Sequence, residues 1–282
     1  MTSRPIRLGL SLIGQSSVAS LAEDARRAEQ IGIDVALLPD HLGLPAPLPP
    51  LVAIAQAAPT LRVSNLVLNA SFYRPALLAR DLASVDSATN GRLEIGLGTG
   101  YVEEEFTAAG LPFPSARARV DLLTEHVTEI RRLLSSPDYA PAPVQTPPPI
   151  MVAGVGDRVL TMAAAQADIV AIATMGNKEH LAERVQYLKA TAGDRFDDLE
   201  LAFSFFQASI DDPDDLSMLR RLAPGRSDAD LRQLATFLGD SIDEAADRIR
   251  CLRDELGISY FSFVRTPGLS WDTLEKLIAA LK

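Results

Sequence analysis

Asp40 and His41 stand side by side in Leu38-Pro39-Asp40-His41-Leu42, directly after a short apolar run. A carboxylate next to an imidazole can serve near neutral pH as base, acid or cofactor contact. A plainer reading stays open beside it: a capping aspartate and a hydrogen-bonded loop histidine. Another apolar run ends in Leu66-Val67-Leu68-Asn69-Ala70-Ser71, where Asn69 and Ser71 have side chains able to donate to a ligand. Arg74-Pro75 just beyond suits the first turn of a helix, where proline gives up no intrahelical bond.

Two glycine-containing stretches follow. Gly96-Leu97-Gly98-Thr99-Gly100-Tyr101 resembles a dinucleotide fingerprint, but Tyr101 stands where G-x-G-x-x-G needs its last glycine. Its glycines still suit close approach of a planar ligand to the backbone. In Ala153-Gly154-Val155-Gly156-Asp157-Arg158, a small turn runs directly into an apolar helical pattern. The free N–H groups and the dipole of a helix start favour a phosphate there, with Arg158 adding charge; a tight strand-to-helix turn is the alternative.

Other chemistries find little support. His41, His126 and His180 are scattered, the last two in helical segments, so no metal site is expected. There is no Gly-x-Ser-x-Gly elbow, and Cys251, the only cysteine, reads as a small apolar residue of a helix face. Asp40 with Glu103 or Glu104 could form a glycosidase-like carboxylate pair, but Glu103-Glu104-Glu105 reads more simply as a solvated helix start.

The elements that must position these groups alternate along the chain. Eight apolar runs, Ile6–Ile13, Ile33–Leu38, Arg62–Leu68, Arg92–Leu97, Ile150–Val152, Ile169–Ala173, Leu199–Phe205 and Tyr260–Val264, read as strands covered on both faces. Between them lie helical patterns. In Ser241–Leu256 the residues Ile242, Ala245, Ala246, Ile249, Leu252 and Leu256 form one stripe on a 3.6-residue period. Val18, Leu21, Ala22, Ala25 and Ala28 form another, with Ser17 or Ser20 as its cap, and Ser270 caps the last helix. Repeated strand–helix units imply parallel strands with right-handed crossovers. Eight of them favour a (β/α)8 TIM-like barrel, an α/β fold spanning residues 1–282 as one domain. Extra material follows strand four, with a helix near Ala116–Leu134 and a proline-rich loop from Pro137 to Pro149. More follows strand seven, over Asp211–Gly239. Both excursions arise on the face where barrels carry their sites, so each reads as a solvated connection or as a lid or substrate wall.

A formal net charge of −10 argues against duplex nucleic acid and anionic membranes as partners. No stretch approaches the ~20 apolar residues that cross a bilayer. Met1-Thr2-Ser3-Arg4-Pro5 leads into the first run without a signal-peptide pattern, and a lone thiol fits a reducing cytoplasm.

Taken in order, Gly32 to Leu42, Arg74 to Arg80, Asn90 to Gly100, Gly110 to Pro114, Pro148 to Gly156 and Ala164 to Asp168 resemble the luciferase-like monooxygenase superfamily. They are most similar to its actinobacterial branch of oxidoreductases that use the deazaflavin F420. The resemblance implies a barrel with the cofactor's tricyclic ring at its C-terminal mouth. By position it implies Asp40 and His41 beside the ring, with His41 near the reacting edge. Leu66 to Ala70, with Leu68, Asn69 and Ala70 in contact, match a turn that often holds a non-prolyl cis peptide. Gly98, Thr99 and Gly100 match the loop along the ring and ribityl chain, and Ala153, Gly154, Val155 and Gly156 the phosphate loop. The resemblance also implies that some deazaflavin-dependent sugar-phosphate dehydrogenases carry an acidic residue where this chain has Tyr101. Arg265 and Lys178 are only isolated candidates for a sugar phosphate.

The expected function is hydride transfer between F420 and a small organic substrate, with His41 and Tyr101 as catalytic candidates. An FMN-dependent monooxygenase using O₂ and a separate reductase is the alternative, and a non-catalytic flavin-binding protein a third. The substrate is expected to be set by the loops Leu42–Pro50, Tyr101–Ala116 and Phe206–Gly239. Trp271 either lines the pocket or packs at a helix start. The resemblance also implies a homodimer.

Overall fold

The computed structural model describes residues 4–12 and 17–281. Strands β1 (Arg7–Ser11), β2 (Val35–Leu38), β3 (Arg62–Asn65), β4 (Leu68–Asn69), β5 (Leu93–Gly98), β6 (Ile150–Gly154), β7 (Ile169–Ile172), β8 (Glu200–Phe205) and β9 (Ile258–Val264) form one sheet. Every pairing in it is parallel. β1 pairs with both β2 and β9, Gly9 lying opposite Val35 on one side and Ser262 on the other, so the sheet closes. β3 and β4 are two pieces of one stave, both laid against β5. The architecture is thus the expected (β/α)8 barrel. The end of the first expected run, Ile13, lies outside the described residues.

Helices α1 (Val18–Ile31), α2 (Leu48–Ala57) and α3 (Pro75–Ala88) follow the first three staves. After β5 come α4 (Glu103–Ala108) and α5 (Ala116–Leu134), then α6 (Asp157–Gln166) and α7 (Lys178–Ala192). After β8 come α8 (Ser217–Leu222), α9 (Asp228–Arg232) and α10 (Ile242–Leu256), and α11 (Trp271–Leu281) follows β9. Local signals place their ends. Ser17, Ser115 and Ser241 each accept a bond from a backbone N–H of the first turn of α1, α5 and α10, meeting one of the orphan donors there. α10 buries Ala245, Ala246, Ile249, Leu252 and Leu256 and stops at Gly257, whose φ of 72° suits a residue without Cβ. Cys251 departs from expectation. It lies about 200° around the helix from Ile249, is partly exposed, and its Sγ meets Lys178 Nζ and Glu255 Oε1.

The barrel interior is layered. At the N-terminal end Arg7, Arg62, Glu94 and Glu200 form an ion cluster, with the Arg7 guanidinium 4.6 Å above the Tyr260 ring. Above it Val35, Leu37, Met151, Ile169, Ala171, Ala202 and Tyr260 pack together. Nearer the C-terminal mouth the inward positions carry small side chains. Ser11, Ala153 and Ser204 are only partly buried there, and Ala173 is exposed. In a closed barrel an inward side chain reaches solvent only through the mouth, so these four outline a hollow that opens there.

The third stave breaks because β5 has room for it. A Cβ on Gly96 would lie 1.7 Å from the Asn65 carbonyl oxygen, and one on Gly98 would lie 2.5 Å from Val67 Cγ2. Two inward glycines thus let the chain between β3 and β4 bulge into the barrel, and the Leu66–Val67 peptide within the bulge is cis. These glycines had suggested close approach of a planar ligand; at Gly96 and Gly98 the close neighbour is the protein's own bulge.

Candidate active site

Asp40 and His41 leave the end of β2 and point to different work. Asp40 Oδ2 accepts from the Asn69 backbone N–H and from the Tyr73 hydroxyl, both at 3.0 Å. It braces the end of the second stave against the broken third. Burial pushes its carboxyl above the ordinary range, although those two bonds and His41 act in the opposite direction. Burial and the Asp40 charge in turn raise the Tyr73 phenol.

His41 Nδ1 lies 2.7 Å from Glu105 Oε1, and the two side chains are 37% and 16% exposed. Glu105 had read as part of a solvated run. Its neighbour explains the difference: Phe106 is fully buried, its ring 5.5 Å from Phe72 and 5.0 Å from Phe113. That anchor docks α4 on the loops at the mouth and delivers Glu105 to the imidazole, while Glu103 and Glu104 stay exposed. An Nδ1–H donated to this carboxylate would leave Nε2 for a reacting group. Tyr101 meets the His41 ring edge-on, centroids 6.2 Å apart. Although 69% exposed, its phenol is pushed up by partial desolvation and by Glu105, with Arg221 of α8 opposing.

The other expected residues are distributed as follows. Leu68 and Ala70 are fully buried, so only their backbone faces the bulge. Asn69 is 5% exposed, and its Oδ1 accepts from the Ser71 N–H at 3.1 Å. Gly100, at φ 67°, has its Cα against the Asn69 side chain, where a Cβ would lie 2.4 Å from Nδ2. Thr99 is partly exposed beside it. On the far side of the hollow, Ala153 faces the mouth and Gly154 makes room for Val159, which a Cβ would approach to 2.4 Å. Gly156 differs from these: it is the exposed N-cap of α6, no side chain caps that end, and a Cβ there would meet nothing within 4 Å. Val155 between them is partly buried.

Several expected cations are committed elsewhere. Arg158 pairs with Asp121. Lys178 pairs with Glu255 at 2.8 Å. Arg265 stacks 4.3 Å above the ring of Trp271, which also carries Arg27, so Trp271 packs at the start of α11. His126 is buried with its two ring nitrogens on the Leu122 and Tyr73 carbonyls, and His180 bonds Thr174 Oγ1. Among the described residues no three His, Cys, Asp or Glu side chains converge as a metal site would require.

Two further features had no local signature. Ser204 and Ser262, register partners on β8 and β9, share a 2.7 Å hydroxyl contact on the inward face. Asp215, just before α8, is 7% exposed and ties the excursion after β8 to the barrel. Its carboxylate accepts from Ser217, Gln207 and the Gly268 N–H. Burial opposes ionisation, but these donors outweigh it and hold the carboxyl down to about 2. The excursion adds its own small core of Leu216, Leu219, Leu231, Leu234 and Phe237, so α8 is held rigidly enough to bring Arg221 near Tyr101.

A strand-closed barrel with a broken third stave and a histidine–carboxylate pair at its mouth defines a class, and sequence comparison assigns it. A model of the luciferase-like monooxygenase family matches residues 2–255, and the chain belongs to that family. It is 32% identical over 125 residues to the F420-dependent glucose-6-phosphate dehydrogenase of Amycolatopsis mediterranei, covering 41% of this chain and 38% of that protein. To the enzyme of the same name from Kineococcus radiotolerans it is 31% identical over 142 residues, 47% of this chain and 42% of that one. The chain thus matches about two fifths of the length of these curated relatives. Among solved structures, the coenzyme F420-dependent tetrahydromethanopterin reductase of Methanopyrus kandleri superposes with a TM-score of 0.78 at 17% identity, over 99% of this chain and 97% of that one. The oxygenating constituent of 3,6-diketocamphane monooxygenase from Pseudomonas putida, bound to FMN, superposes with a TM-score of 0.73 at 15% identity, over 98% and 97%. At such identities the likeness is one of fold. No helix among the described residues is long and apolar enough to cross a membrane.

Proposed function

We propose that this protein is an F420-dependent oxidoreductase that moves a hydride between the deazaflavin and a small organic substrate. The observation that carries the reading is the His41–Glu105 pair standing at the barrel mouth beside the bulged third stave. The chain's own residues fit a tricyclic ring with a phosphate tail. Small inward side chains at Ser11, Ala153, Ala173 and Ser204 leave a hollow at the mouth. The open, uncapped N-terminus of α6 at Gly156 offers N–H groups and a favourable dipole to a phosphate on the same face.

F420, when bound, supplies hydride chemistry at its C5, and the protein supplies position and proton management. In this reading the backbone of Leu68, Asn69 and Ala70, with Gly98, Thr99 and Gly100, supports the ring. Asp40 holds that support in place through Asn69 N–H and Tyr73. Ala153, Gly154, Val155 and Gly156 receive the phosphate. His41 gives a proton from Nε2 to the substrate atom that becomes electron-rich on reduction, or takes one in the reverse direction, while Glu105 on Nδ1 orients the ring. Tyr101 contacts the substrate from the rim. The partial identity to F420-dependent glucose-6-phosphate dehydrogenases supports the cofactor more than their substrate. The family resemblance puts an acid at the position of Tyr101 in sugar-phosphate dehydrogenases, while here Lys178 is paired with Glu255 and Arg265 stacks on Trp271.

The family description and the FMN-bound neighbour favour a second reading, an FMN-dependent monooxygenase using O₂ and a separate reductase. A flavin-binding protein without turnover is the third. The reading keeps a cytoplasmic homodimer, which light scattering checks. Titration of the purified protein with F420 and separately with FMN, following Trp271 fluorescence and cofactor absorbance, tests the proposal. Tight binding of F420 with weak binding of FMN is expected. The converse would replace it with the monooxygenase, and binding of neither would leave it without a cofactor.

A further inference from the structure

Of eight large apolar side chains exposed among the described residues, five lie between β2 and α2 or between β5 and α5: Leu42, Leu44, Tyr101, Leu111 and Phe113. Exposed apolar surface concentrated in one place marks a binding surface more often than isolated exposed residues do. Four of the five are tied to the reacting pair through their neighbours. The Leu44 N–H bonds the carbonyl of His41 at 3.1 Å, so Leu42 and Leu44 flank the histidine in one tight turn. Tyr101 meets the imidazole edge-on. Phe113 lies beneath the Arg119 guanidinium, 4.3 Å away, and that same guanidinium bonds the Gly100 carbonyl at 3.0 Å, which joins Phe113 to the Tyr101 side of the rim.

The charges on this rim select further. Asp40 and Glu105 bond or flank His41, and Glu103 and Glu104 occupy the same first turn of α4. Arg119 is fixed by the Gly100 and Pro114 carbonyls, which orient its guanidinium and leave its charge. Arg221 approaches the same rim from α8 and also contacts Met218 Sδ at 2.9 Å. With the carboxylates of Asp40 and Glu105 both beside the imidazole, the reacting position repels an anion and tolerates a neutral molecule. A protein partner seated here would seal the mouth over the reacting pair.

Resting on the reading of this mouth as the reaction site, we propose that the substrate is an uncharged, largely apolar organic molecule. Its body lies on Leu42, Leu44, Tyr101 and Phe113, and its reacting atom stands against His41 Nε2. This separates the protein by substrate class from the sugar-phosphate dehydrogenases it partly matches.

The test is equilibrium binding of two homologous series, 1-alkanols and n-alkanoates of four to ten carbons (roughly the span of such a rim), to the F420-loaded protein. Bound-cofactor fluorescence and melting temperature are the two readouts. Alkanol affinity should rise about threefold per methylene, the transfer of one CH₂ out of water, and each alkanoate should bind at least about tenfold more weakly than the alkanol of equal length. Leu42→Ser and Leu44→Ser should flatten the chain-length dependence to below about twofold per methylene while F420 affinity stays unchanged. Alkanoates binding as tightly as alkanols, or affinity independent of chain length, would overturn the inference. So would serine variants that dissociate a dimer and leave the dependence intact, since the rim would then be a subunit interface. If F420 itself does not bind, the cofactor reading fails on its own titration, and the melting-temperature series on the cofactor-free protein still decides the substrate class.

Discussion

Replacing Gly96 with alanine tests the account of the broken third stave. The new Cβ would fall 1.7 Å from the Asn65 carbonyl oxygen. Carbon and carbonyl oxygen ordinarily stay about 3.3 Å apart, so roughly 1.5 Å of backbone displacement is required. The obstacle is main chain in a closed sheet and not the end of a flexible side chain. Overpacking of this kind typically costs about 1–3 kcal/mol, and a backbone obstacle puts Gly96→Ala at about 3. At about 2–4 °C per kcal/mol for a domain near this size, melting should fall by roughly 6–12 °C. Gly156→Ala is the matched control. Its φ of −71° and ψ of 151° suit alanine, and its Cβ meets no atom within 4 Å. Stability should stay level or rise by up to about 1 kcal/mol. The two variants should separate in function as well. Gly96→Ala disturbs the ring support and should weaken F420 binding at least about tenfold along with stability. Gly156→Ala puts a methyl group where the phosphate is proposed to sit and should weaken binding without lowering the melting temperature. Thermal melts by circular dichroism and cofactor titration give both quantities. A Gly96→Ala protein melting within about 2 °C of the parent would refute the packing argument, since the cost assigned to the backbone clash would be absent.

Glu105→Gln keeps an acceptor for His41 Nδ1 but removes the charge, and should lower kcat about tenfold. Glu105→Ala should lower it about a hundredfold, both leaving cofactor affinity within a factor of about three; steady-state kinetics on the identified substrate decide, and unchanged kcat in both would remove Glu105 from the chemistry. Asp40→Ala leaves two donors, the Asn69 N–H and the Tyr73 hydroxyl, without their acceptor and should cost about 3 kcal/mol in urea unfolding at pH 7. Asp40→Asn retains an acceptor and should cost less than about 1 kcal/mol. Because burial raises the folded Asp40 above its ordinary value, the parent should lose stability relative to Asp40→Asn as pH rises from about 4 through that raised value, and an opposite slope would contradict the burial argument. Asp215 has the reverse sign: its carboxyl is held at about 2, so its contribution is present above about pH 4 and lost as pH falls towards 2. The gap in unfolding free energy between the parent and Asp215→Asn should therefore narrow by roughly 2 kcal/mol over that interval, and a constant gap would show that the bonds from Ser217, Gln207 and Gly268 do not depend on its charge.

Much of the scaffold is legible in local pattern. Buried parallel strands need continuous apolar runs, so seven of the staves stand in the sequence with ends displaced by only a residue or two, Ile13 aside. The serine caps and the glycine after α10 satisfy the ends of helices by contacts within a few residues, and α5 begins and ends where its period does. Asp40 and His41 are visible because they end a strand, and every strand end in such a barrel faces the mouth. The tertiary structure alone decided what those residues meet. The third stave breaks because of glycines thirty residues further on in β5, and the run Arg62–Leu68 carries no trace of the space opposite it. Glu105 reaches His41 because Phe106 finds two aromatic rings from separate loops, a fact invisible in Glu103-Glu104-Glu105. Cys251 and Lys178 left their expected roles for the same reason, each settled by a side chain far along the chain. Period and capping depend on neighbours within about four residues and can be read from the sequence. Charge pairs, bulges and the room for a Cβ depend on contacts across the barrel, which exist only once the sheet has closed.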